Sequence, residues 1–200
     1  MKLNRKIAIV SVLLLVVSLV FTACKRDKEE EPQPEDSYDK SGMLANIADN
    51  LIMPQYQSFK VDTDSLQLLT ATFNATPDLT NLLALQTKFT EAYVSYQWIS
   101  TFEIGPAETD IIRANFNTFP CDTVQINSNI SSGVYDLASV SNIDAKGFPA
   151  LDFLLYGKAL SNSYILSLYT TSPTATNAKN YLTALVNEIK TKIDALNTSW

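Results

Sequence analysis

Residues 76–101, TPDLTNLLALQTKFTEAYVSYQWIST, decide the fold class. Thr76-Pro77-Asp78 combines a capping hydroxyl, a proline suited to the first helical position and an acid for the first turn, so a helix is expected to start there. Leu82, Leu85, Phe89, Ala92, Tyr96 and Ile99 then recur at intervals of three and four. That spacing sets all six on one helical face over several turns, the seam of a bundle helix. Tyr93 and Trp98 are expected to widen the buried face, and Gly105-Pro106 to end the helix.

The same periodicity appears on both sides of this segment. Leu44, Ile47, Ala48, Leu51 and Ile52 have helical spacing behind a capping Ser41, and Pro54 predicts a kink or break. Tyr56 and Phe59 continue the apolar face, and polar Asp62–Asp64 suggests a second piece starting near Asp64 with Leu66, Leu69 and Phe73. Ala107–Ser132 has no sustained period and reads as loop with short helical turns packed along the bundle. Lys146–Gly157, KGFPALDFLLYG, predicts a short helix that starts near Gly147 or Phe148 and stops at a C-capping Gly157. Ser161–Thr171 reads as helical, and beyond Pro173 a last amphipathic helix carries Leu182, Leu185, Ile189, Ile193, Leu196 and Trp200. Helices without clear strand signals imply an all-α, up-down helical bundle.

Composition narrows the chemistry. The chain has 15 basic and 21 acidic residues, a formal charge of -6. Without Lys2, Arg5 and Lys6, which lie in a segment expected to be cleaved, the 15 basic residues fall to 12 and the formal charge to -9. An acidic chain with no basic stripe does not suit phosphate neutralisation, which excludes nucleic acid as a partner. The chain contains no histidine, the commonest metal ligand and the usual general base near neutral pH. Its cysteines are Cys24 and Cys121. If Cys24 carries lipid, Cys121 has no partner for a disulfide, and without a histidine to activate it Cys121 reads as a small buried apolar residue.

The N-terminus reads as an address. Met1–Lys6 is basic and Ile7–Thr22 is apolar, shorter than the roughly 20 residues of a spanning helix. Phe21-Thr22-Ala23-Cys24 then resembles a bacterial lipobox, with Phe where Leu is more usual. The competing reading is a plain membrane anchor. The expected organisation is a signal peptide over 1–23, a disordered acidic tether over 24–40 and a helical domain over 41–200. Lys25–Lys40, KRDKEEEPQPEDSYDK, is too charged and too poor in apolar residues to order itself. It reads equally as a solvated spacer and as an acidic signal of the kind carried by surface-exposed lipoproteins.

KGFPALDFLLYG, together with Phe102–Pro106, resembles the imelysin-like family from about Met43 onward. The resemblance implies cell-envelope proteins, some named as peptidases and others linked to iron-regulated uptake, built from two related helical bundles. This chain has the length of the first bundle with about one further helix, an expected truncation. The family's motif is Gly-x-His-x-x-Glu, in which a histidine and a glutamate three apart share a helical face and hold a metal. Here Gly147 keeps the glycine, Pro149 replaces the histidine and Asp152 replaces the glutamate. Proline offers no donor atom, so the residues do not support a zinc site of that plan. An oxygen-only site for Ca²⁺ or Mg²⁺ would need Asp152 with Glu103 or Glu91 and further converging oxygens. The plainer reading of Asp152 is an acid favoured by the helix N-terminus.

Three functions follow as expectations. The first is a non-catalytic, membrane-anchored binding module for a protein or metal ligand, linked to metal or iron acquisition. The second is a metallopeptidase with ligands supplied elsewhere, and the third a truncated copy without independent function. The lipobox is tested directly: labelled fatty acid is expected to enter the wild-type chain and to be absent from Cys24→Ala. Equal labelling of both would rule out lipidation at Cys24.

Overall fold

The structure, a computed structural model, describes residues 38–200. The expected signal peptide, the lipobox with Cys24 and nearly all of the tether lie outside these residues. The chain divides into Met1–Lys40 and a unit spanning Ser41–Trp200. In chain order the helices are α1 (Lys40–Ile47), α2 (Met53–Ala75), α3 (Leu79–Ser100), α4 (Pro106–Thr109), α5 (Ile112–Asn117), α6 (Thr123–Ser132), α7 (Gly147–Tyr156), α8 (Asn162–Thr170) and α9 (Ala175–Ser199). A π-helical turn at Ala48–Ile52 joins α1 to α2, and a 3₁₀ turn at Val140–Asn142 precedes α7. The described residues contain no strand, and none of their helices is long and apolar enough to cross a membrane. The fold is the expected all-α bundle.

The three long helices carry it. α2 packs along α3 on one side and α9 on the other. The seam of α3 is buried as its spacing predicts, with Leu82, Leu85, Phe89, Ala92, Tyr96 and Ile99 almost wholly out of solvent. From α9, Leu182, Leu185, Ile189, Ile193 and Leu196 enter the same core. Trp200, just past α9, is partly buried, and its ring centroid lies 5.9 Å from that of Tyr56. On the outer edge of the α2–α9 contact, Lys60, Asp64, Lys190 and Asp194 form a closed set of ion pairs. Hydrogen bonds from Lys190 and Lys60 hold the Asp64 carboxyl below its ordinary value.

Several boundaries differ from the sequence reading. Ser41 lies within α1, one residue after its start, and does not cap it. No break occurs at Pro54: Ile47, Ile52 and Met53 keep right-handed helical angles, the Met53 N–H bonds the Ala48 carbonyl, and the irregularity is the π-helical turn just before the proline. No second piece begins at Asp64, since α2 runs unbroken from Met53 to Ala75. Thr63 is buried there with its hydroxyl on the Lys60 carbonyl at 2.8 Å, while Asp62 and Asp64 find lysines at the helix edges. Polar residues are thus accommodated without interrupting the helix. The cap of α3 is Asp78, which accepts from the Asn81 N–H at 2.8 Å, two residues after the expected Thr76.

Trp98 is 65% exposed and does not widen the buried face, because it lies one residue off the seam position Ile99. α3 ends at Ser100, and Gly105-Pro106 opens α4 instead of closing α3. Ala107–Ser132, read as loop with short helical turns, holds α5, α6 and all of α4 but Pro106. Asp122 caps α6 by accepting from the N–H groups of Val124 (2.8 Å) and Gln125 (3.0 Å).

α7 starts and stops where its sequence predicts. Gly157 takes φ +61° at its C-terminus, with its N–H on the Phe153 carbonyl. At the other end Gly147 takes φ +74° and lies against the end of α5. A Cβ there would stand 2.9 Å from the Asn115 carbonyl oxygen and closer still to that of Phe116. Both the backbone conformation and the space therefore require glycine. Gly147→Ala is expected to cost about 3 kcal/mol, read as a lower urea midpoint with unchanged slope. An unaltered midpoint would show that α7 moves freely away from α5.

Candidate functional site

The motif segment occupies the first two turns of α7. Lys146, just before it, is 3% exposed as a side chain, and its ammonium donates to the Leu137 carbonyl (2.7 Å) and to Glu188 Oε1 (2.8 Å). This buried ion pair ties the start of α7 to α9, and helical periodicity gives no sign of it. Phe148 is fully buried. Its ring stacks on Tyr93 with centroids 4.8 Å apart and planes 8° apart, and lies 5.4 Å from Tyr96 and 6.1 Å from both Phe59 and Phe89. α7 is thereby anchored to α2 and α3 by one ring.

After it Pro149, Ala150 and Leu151 are buried and Asp152 is exposed. Pro149 and Asp152 line a common groove of about 340 Å³ with Tyr93, Phe119, Cys121 and Phe153, so the two motif positions share a face as three-residue spacing requires. Asp152 and Tyr93 also line an adjoining groove of about 600 Å³ with Phe89, Val94, Gln97 and Tyr156. The tyrosine hydroxyls are held: Tyr93 donates to Asn117 Oδ1 at 2.7 Å and Tyr156 to the Gln86 carbonyl at 3.0 Å.

Asp152 lies past the first turn of α7, so the helix N-terminus does not account for it. The residue is exposed as a whole, yet apolar neighbours crowd its carboxyl and burial pushes it above the ordinary carboxylate value. Among the described residues no hydrogen bond or ion pair reaches it. Cys121 is partly buried, not fully as expected, and burial raises its thiol, which disfavours the reactive thiolate.

The other acids proposed for the site are engaged elsewhere. Glu103 accepts the Arg113 N–H at 3.0 Å and pairs with its guanidinium at 2.8 Å, bracing the turn before α4 against α5. Glu91 pairs with Lys88 at 2.6 Å on α3. Among the described residues no three of His, Cys, Asp and Glu gather where one ion would reach them. The metal implied by the family motif does not fit this donor set: Pro149 presents only carbon, and Asp152 is a single carboxylate. What the face can do is receive a group that satisfies one desolvated carboxylate among aromatic rings.

The imelysin family model matches residues 52–200. The chain belongs to the imelysin family. No curated protein matches it significantly. Among solved structures it is similar to an iron-regulated protein A precursor from Parabacteroides distasonis, with a TM-score of 0.68 and 18% identity. The match covers 80% of this chain and 44% of that one, so this imelysin-family chain spans less than half the length of its structural relative.

The Asp152 carboxyl makes the pH dependence of stability testable. A carboxyl raised in the folded state binds protons more readily there than in the unfolded chain, so stability falls as pH rises from the ordinary carboxylate value through the raised one. Asp152→Asn removes that loss. It is expected to raise the urea midpoint slightly at pH 7, with the gain disappearing below about pH 4. A gain constant across that range would mean the carboxyl is not desolvated.

Proposed function

We propose that the chain is a non-catalytic binding module of the cell envelope, anchored as an outer-membrane lipoprotein through Cys24 and serving metal or iron acquisition. The observation that carries the non-catalytic part is Pro149. It stands buried in the first turn of α7, beside Asp152, at the position where the family motif has its histidine. The ring fills that position with carbon, leaving Asp152 without a neighbouring donor for a metal-bound water. Glu103 and Glu91 support the same reading, since each is already paired with a cation. Membership of the imelysin family and the name of the iron-regulated relative support the envelope and iron parts. Lipid at Cys24 would add membrane affinity at about 0.8 kcal/mol per buried methylene.

The purified full chain, in detergent and with Zn²⁺, Ca²⁺ or Mg²⁺, is expected to leave peptide substrates intact. Metal-dependent cleavage that disappears in Asp152→Ala would overturn the proposal in favour of a metallopeptidase.

A further inference from the structure

Three observations meet at Asp152. The first is a carboxylate with no hydrogen-bond or ion-pair partner among the described residues. Burial raises it, and although Lys158 lines the same groove the two are not ion-paired. Desolvating an acid without a partner is unfavourable, so a cation brought to it restores what burial takes away. The second is the lining: Tyr93, Tyr156, Phe89 and Phe153 surround the acid along the two adjoining grooves. Aromatic rings beside a carboxylate complement a guanidinium or ammonium, which gains charge-assisted hydrogen bonds from one and cation–π attraction from the other.

The third observation is the margin. Val94 is 57% exposed and Trp98, one turn further along α3, 65%, while Phe119 on the opposite side is 82% exposed. Both grooves lie open on the surface. Small-molecule sites enclose most of their ligand, whereas the larger groove, open and aromatic with Asp152 as its charged residue, has the anatomy of a protein-docking face.

Resting on the non-catalytic reading above, we infer that the α3–α7 face docks a partner protein through one basic side chain. The arginine or lysine of the partner meets Asp152 among the Tyr93 and Tyr156 rings, and its flanking apolar residues cover Val94, Trp98 and Phe119. Charge complementarity selects the occupant: Asp152 is the charged residue that lines the larger groove, and no described residue pairs with it there.

The test uses the full chain in lipid nanodiscs, with empty nanodiscs as the blank. It is titrated with the peptide acetyl-Ala-Leu-Arg-Leu-Ala-amide and with the same peptide carrying citrulline, a neutral near-isostere of arginine. Binding is read by isothermal titration calorimetry. The arginine peptide is expected to bind about tenfold more tightly than the citrulline peptide, and Asp152→Asn is expected to remove the difference with the helical circular dichroism unchanged. Equal affinity for the two peptides, a difference that survives Asp152→Asn, or binding of neither overturns the inference. Benzamidinium binding as tightly as the arginine peptide overturns it too, in favour of a small organic cation. Metal-dependent cleavage of either peptide is a separate readout and bears on the non-catalytic reading alone.

Discussion

The close approach of α7 to α5 at Gly147 is the constraint on which the site depends. With a hydrogen in place of a Cβ, the first residue of α7 lies on the carbonyls of Asn115 and Phe116. That contact fixes the depth at which Phe148 enters the core, between rings from α2 and α3. Once Phe148 is seated, the helical repeat turns Pro149 and Asp152 toward the outer grooves. Lys146 secures the same end of α7 to α9 through Glu188. A glycine, a ring and a buried lysine in succession therefore decide where Asp152 stands, and none of the three is itself a candidate for chemistry.

Much of the fold was legible because burial on long helices follows a period. The seam of α3 and the apolar face of α9 could be read residue by residue, and α7 could be bounded by Gly147 and Gly157. Some errors arose where a residue's partner is distant in sequence, others from local phase and capping. Asp62 and Asp64 looked like an interruption because Lys88 and Lys190 on other helices join Lys60 on their own in neutralising them. Trp98 looked buried because hydrophobicity was read without the one-residue phase that sets it outside the seam. α6 looked irregular because its cap, Asp122, and its short apolar face do not stand out among Asn and Thr.

The site was legible in outline. The absence of histidine is visible in the chain alone, the resemblance sets Pro149 at the motif histidine, and the structure adds that Pro149 and Asp152 share a groove. The pairing of Glu103 with Arg113, which removes an acid from any shared site, required the fold of the turn between α3 and α5. The aromatic lining was misattributed in part. Tyr93 belongs to the core through its stack on Phe148 and to the surface through the grooves, and a period assigns it only the first role.

The position of α9 bears on how the protein is made. Tyr56, Phe59 and Leu66 on α2 belong to a core that the side chains of residues 181–196 complete, more than a hundred positions later. A ribosome therefore releases α2 and α3 well before the helix that finishes their shared core exists. During that interval the early pair presents a long apolar stripe, and the growing chain must be shielded or kept loose. Closure is thus a late event in synthesis, set by the order of the helices.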